Sequence, residues 1–160
     1  MLMPMGPSNQ VGYLIHHLAF VLGRQSDQVL LEQLGIGMSQ FKILMTLQNM
    51  PNVRQKQIAD CLAQTEASIS RQIKLLEEAG MLTSEVSKNS KREHVIRLTP
   101  KGERTNDNAL KVLQRYHAPM FATLNEKQLD ALMSPLETLH THACISNDPT
   151  MCQPFIIKHN

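Results

Sequence analysis

A chain of 160 residues with 42% apolar side chains can bury one substantial core. Aromatics make up only 4% and Trp is absent, which favours helices packed through aliphatic side chains over a β-sandwich. The net charge of +2 does not by itself announce a nucleic-acid binder, but nine Lys/Arg against six Asp/Glu fall between Arg54 and Lys101, and seven against eight elsewhere. No apolar run approaches the ~20 residues that a membrane-spanning helix needs. The opening MLMPMGPSNQ lacks the basic and apolar regions of a signal peptide, so a cytoplasmic protein with no membrane partner is expected. Three cysteines, an odd count with no compact spacing, argue against structural disulfides.

The first predicted helix runs from about Val11 to Leu34, where Val11, Leu14, Ile15, Leu18, Val21, Leu22, Val29 and Leu30 recur at helical steps. Gly35 and Gly37 end it. Ser39 is placed to cap a second helix, in which Phe41, Leu44 and Met45 share a face before Pro51. A short third helix covers about Arg54 to Ala63, burying Ile58 and Leu62. The fourth starts near Thr65 and stops at Gly80, with Ile69, Ile73 and Leu76 on its inner side.

The period then changes. Leu82, Ser84 and Val86 alternate with polar neighbours, and Ile96 and Leu98 mark a second short strand. Between them lies SKNSKRE (87–93), polar and basic, the tip of a hairpin. Thr99 suits a helix N-cap and Pro100 the first position of a fifth helix, expected to reach about His117 and to end at Pro119. Asn125 opens a sixth helix, with Gln128 completing a variant capping box and Leu124 and Leu129 forming a staple across it. Leu129, Leu132, Met133, Leu136 and Leu139 give this helix its apolar face, and Pro135 should kink or break it. From Ser146 onward no period remains. The expected fold is mainly α with a small β-hairpin, in the order α-α-α-α-β-β-α-α.

A short helix, a turn, a second helix and then a basic-tipped hairpin are the parts of a winged helix-turn-helix. Such a module must offer the DNA major groove a narrow polar helix face, hold the opposite face on its core, and bring Arg or Lys to the neighbouring minor groove or backbone. On the fourth helix Ala67, Ser70, Arg71 and Lys74 point away from Ile69, Ile73 and Leu76. Ala67 and Ser70 are small enough for close approach to bases. Arg71 can donate two hydrogen bonds to a guanine, a contact that discriminates by about 1–3 kcal/mol. Thr65, Ser68 and Gln72 flank this face and suit phosphates or bases. For the helix alone, an ordinary solvated face fits as well; the wing decides between them.

The stretches LGIGMSQFKIL (34–44), IADCL (58–62), SISRQIKLLEEAGML (68–82) and IRLTPKGE (96–103) together resemble the MarR family of transcriptional regulators. The resemblance covers about Gly12 to Ala143. It implies a homodimer interlocked through the N- and C-terminal helices, each subunit presenting one winged helix to half of a palindromic site. It also implies that Arg92 is the wing arginine of the minor groove, with Lys88 and Lys91 available to phosphates. The family wing usually reads Asp-x-Arg, and Ser90 stands here where that carboxylate would hold the arginine. On this reading residues 1–35 and 100–145 are dimerisation helices, 36–99 the DNA-binding lobe and 146–160 a tail. The expected function is a repressor released from a pseudo-palindromic operator by a small molecule or an oxidant. The competing reading is a winged-helix interaction module that has lost DNA affinity.

The residues argue for a dimer independently, because the apolar stripes of the first and sixth helices exceed what a small winged lobe can cover. By analogy with the family, Tyr13, His17, Met45 and Tyr116 are candidates to line an effector pocket. Cys61, Cys144 and Cys152 are candidate redox thiols, though nothing near Cys61 would lower its pKa. His140 and Cys144 could share a helix face, but His142 would not, so no metal site is expected. No cofactor is expected either. With no Ser/His/Asp signature, phosphate-cradling glycine loop or paired-carboxylate motif, the sequence supports no enzymatic activity.

Overall fold

Helix α1 (Pro7–Leu34) begins ahead of its apolar stripe because Gly6 adopts an extended N-cap and Pro7 fits the first helical position. The computed structural model describes residues 6–87 and 90–143, with the backbone alone at 87 and 90–94. Gly35 closes α1 in the left-handed region at φ +68°, which an L side chain adopts only with strain. Helix α2 (Met38–Asn49) follows at once. Its N-cap is Gly37 rather than Ser39, which lies inside the helix. The orphan amides are taken up by Asp27 Oδ1, accepting from Met38 N at 2.7 Å, and by Gln40 Oε1, accepting from Gly37 N at 3.0 Å.

Strand β1 (Val53–Arg54), helix α3 (Gln55–Leu62), helix α4 (Glu66–Glu78), and strands β2 (Leu82–Ser87) and β3 (Ser90–Leu98) complete the winged lobe. The sheet is antiparallel with order β1-β3-β2. The expected hairpin is present, and β1 joins it by pairing Val53 with Ile96 and Arg54 with Val95. For that reason α3 starts one residue after Arg54. Thr65 caps α4, its hydroxyl accepting from Ser68 N at 3.2 Å.

The core gathers Leu30, Phe41, Ile43, Leu44, Ile58, Ile69, Leu76 and Ile96, all at most 2% exposed. Each such side chain contributes about 1.5–3 kcal/mol by leaving water. Leu62 is only half-buried; Ala59 joins Ile58 in the core from α3.

Helix α5 (Pro100–Phe121) is capped by Thr99, whose Oγ1 accepts from Gly102 N at 3.1 Å. It runs through Pro119 to Phe121, past the expected stop at His117. Proline frees the carbonyl four residues earlier, that of Arg115, and Arg115 is exposed, so water can satisfy it. Helix α6 (Glu126–Ala143) likewise continues through Pro135 without a break. Here the capping box is formed: Gln128 N donates to Asn125 Oδ1 and Asn125 N to Gln128 Oε1, both at 3.0 Å.

Two polar joints tie α5 to α1 and α2. His117 Nε2 meets the buried Ser26 hydroxyl of α1 at 2.9 Å. Asn106 Nδ2 donates to Gln48 Oε1 of α2 at 2.6 Å, and Gln48 Nε2 to Asp107 Oδ1 at 3.1 Å. The outer ends are different. No residue of α6 is buried among the described residues. Val11, Leu14, Leu18 and Phe20 of α1, Phe121 of α5, and Leu132, Met133, Leu136 and Leu139 of α6 all stand exposed.

Candidate nucleic-acid interface

The turn from α3 to α4 is built by Ala63 at φ +50° and by Gln64 N donating to Ala59 O at 3.0 Å. It is pinned by Ser68 Oγ donating to Gln64 Oε1 at 3.3 Å and Gln55 Nε2 to Glu66 O at 3.2 Å. Helix α4 then separates its faces cleanly. Ile69, Ile73 and Leu76 are buried, while Ala67, Ser70, Arg71 and Lys74 are exposed together. Ser68 and Gln72 are half-buried at the edges, and Thr65 is exposed at the cap. Lys74 lies 4.0 Å from Glu78, a surface pair that adds little to stability and leaves the cation in solvent.

The wing pairs regularly from Leu82↔Leu98 to Val86↔His94. The register then jumps to Ser87↔Ser90, so Lys91 and Arg92 fall in the stretch of β3 that the ladder skips. Their side chains, and Lys88 altogether, lie outside the described residues. Arg97, part of the basic cluster in the sequence, works at the wing's base. Its Nε donates to Asn52 Oδ1 at 2.6 Å and its guanidinium lies 3.7 Å from Glu85. Asn52, at φ +66°, holds the turn into β1 at the same time. Sequence reasoning missed this anchor, whose only signal was an Asn after a Pro.

The remaining candidates are scattered. Tyr13 and His17 stack on each other along α1, with ring centroids 5.8 Å apart, and both are exposed. Met45 packs against the core, and Tyr116 meets His117 edge-on at 5.2 Å. These four residues come from three elements, α1, α2 and α5. A cavity of about 330 Å³ lies instead between α2, the wing base and α5, lined in part by Gln48, Asn52, Arg97 and Asp107.

Cys61 is half-buried, and burial pushes its thiol up from the ordinary range, with the Thr46 side chain pulling weakly the other way. The reactive thiolate is thereby disfavoured. Iodoacetamide should alkylate Cys61 in the native protein more slowly than a model thiol at neutral pH, with the rate rising only at higher pH; equal rates would show that burial does not protect it. Cys144 and Cys152 lie outside the described residues. Among the described residues no three His, Cys, Asp or Glu side chains cluster as metal ligands, and no helix is long and apolar enough to cross a membrane.

Residues 36–94 match the model of the MarR family, and 87% of the chain aligns in fold with a solved MarR. A MarR-family region spans residues 36–94 of the chain. Wild-type MarR of E. coli in its apo form is similar at 20% identity and a TM-score of 0.72, over 87% of this chain and 98% of that one. A MarR/EmrR family transcriptional regulator from Acinetobacter sp. ADP1 is similar at 24% identity and a TM-score of 0.70, over 86% and 97%. MepR of S. aureus, solved as a complex with DNA, is similar at 21% identity and a TM-score of 0.67, over 82% and 96%. At these identities the likeness speaks for the MarR fold. Comparison with curated proteins by sequence gives no significant match.

Proposed function

We propose that this chain is a transcriptional regulator of the MarR family that binds a pseudo-palindromic DNA duplex as a homodimer and acts as a repressor released by a small molecule or an oxidant. The observation that carries the reading is the outer face of α4. Small Ala67 and Ser70 flank the exposed Arg71 and Lys74, while the opposite face is locked into the core. That face suits the major groove, with Arg71 bidentate to a guanine and Thr65, Ser68 and Gln72 at its rim. Lys88, Lys91 and Arg92 of the hairpin would then reach the flanking minor groove and backbone. The solved MepR–DNA complex supports the reading, since MepR shares this fold.

Residues 1–35 and 100–145 would form the dimer and 36–99 the DNA-binding lobe. The unburied apolar residues of α1 and α6 support this division, because monomers rarely leave so large an apolar surface in water. A closed two-fold pairing would set two α4 helices roughly 34–36 Å apart, one turn of DNA.

The test is a mobility shift on DNA from immediately upstream of its own gene, at several salt concentrations. Arg71→Ala should cost about 1–3 kcal/mol and relax the preference at one base position, whereas Arg92→Ala should weaken binding to all sequences alike. If neither substitution changes affinity, the assigned surface is wrong. Binding that lacks a steep loss with added salt would favour the interaction-module reading, because few counterions would be released.

A further inference from the structure

Helix α4 ends in the left-handed turn of Gly80 (φ +70°), with Gly80 N donating to Glu77 O and Met81 N to Leu76 O, both at 2.8 Å. The carbonyls of Ala79, Gly80 and Met81, just past the end of α4, are taken by the start of α5. Lys101 Nζ donates to Ala79 O at 2.7 Å, Thr99 Oγ1 to Gly80 O at 2.8 Å and Thr99 N to Met81 O at 3.0 Å. Gly102 allows this approach, since a Cβ there would lie 2.1 Å from Met81 O. The negative end of one helix dipole thus meets the positive end of another. The last turn of α4 contains no basic residue and carries Glu77 and Glu78. The cation at its C-terminus therefore comes from α5.

We propose that Lys101 is a positioning residue for the recognition helix: by capping Ala79 from α5, it fixes the angle at which Arg71 meets DNA. This rests on the reading that α4 enters the groove. Lys101 belongs to the basic run of the sequence, yet it sits at the end of α4 away from Thr65, where the N-terminal residues would approach bases. Ala79 is about two turns beyond Arg71, so a tilt of a few degrees at this joint moves the guanidinium by about 1 Å, enough to spoil a bidentate contact. Because α5 also carries the exposed Tyr116 and Phe121, the same joint links the recognition helix to the apolar end of the molecule.

The experiment uses the full chain with Lys101→Met, which keeps the stem and removes the donor, and Lys101→Arg, which keeps a cationic donor. Hydrogen exchange is followed at the amides of residues 79–81 without DNA. Affinity is measured for the upstream duplex and for a scrambled duplex of equal length and composition, over a range of salt. Lys101→Met should exchange faster at those amides and bind the upstream duplex about fivefold more weakly, with scrambled-duplex affinity and the salt slope unchanged. Lys101→Arg should restore both readouts. Equal losses on the two duplexes, with a salt slope smaller by about one, would make Lys101 a phosphate contact and overturn the proposal. Unchanged exchange and unchanged upstream affinity would overturn it as well. If the wild-type protein shows no preference for the upstream duplex, the DNA reading itself fails, while the exchange measurement, which needs no DNA, still decides whether Lys101 closes α4.

Discussion

Glutamate in place of Leu136 should leave a folded single chain that no longer binds DNA tightly. Leu136 lies on α6 with Leu132 and Leu139, one helical stripe in a helix with no buried residue. In the proposed dimer that stripe is covered by a second copy, so the substitution places two unpaired carboxylates in one apolar interface. The core itself, from Val29 to Val112, is assembled elsewhere, and its helical circular dichroism should persist. Light scattering should report one chain per particle. DNA affinity should fall by about 100-fold or more, since the second half-site would no longer be engaged within one complex. Leu18→Glu on α1 should act in the same way. A variant that keeps the mass of two chains would show that α6 lies outside the interface.

The second large effect concerns stability. Gly102→Ala adds a methyl group that meets Met81 O at 2.1 Å and Leu98 Cδ2 at 3.1 Å. The first neighbour is backbone and cannot rotate away, so the start of α5 must move off the end of α4. The cost should be about 3 kcal/mol, seen as a fall in Tm of about 10 °C at matched protein concentration. The contrast with Gly12 and Gly23, which have nothing within 4 Å of an added Cβ, gives the control. Alanine at either should cost nothing through crowding, and a similar loss at all three would mean that close approach is not the cause.

These joints also show where local sequence runs out. Caps that depend on residues three positions apart were legible at Thr99 and at Asn125 with Gln128, and the Thr65 cap on Ser68 N, of the same local kind, went unread. The cap of α2 was not, because its acceptor is Asp27, eleven residues upstream, and Ser39 is left without that task. Strand β1 has only two residues, too few to show alternation, and exists because β3 offers a free edge. Pro119 was over-read as a stop and Pro135 does not break α6, since exposed backbone can lose a hydrogen bond to water and continue. On the candidate site, the division of α4 into buried Ile69, Ile73 and Leu76 and exposed Ala67, Ser70, Arg71 and Lys74 follows directly from a 100° step. What no period could reveal is that Arg97 and Lys101, two members of the basic run, are spent on Asn52 and Ala79. Charge counts along a chain do not say which cations remain for a partner.

The most direct test of the account is a selection of bound duplexes from random DNA with the full chain. Enrichment of an inverted repeat with half-sites about one helical turn apart, flattened at one position in each half by Arg71→Ala, is the predicted result. A pool that stays random while the protein remains folded would contradict it.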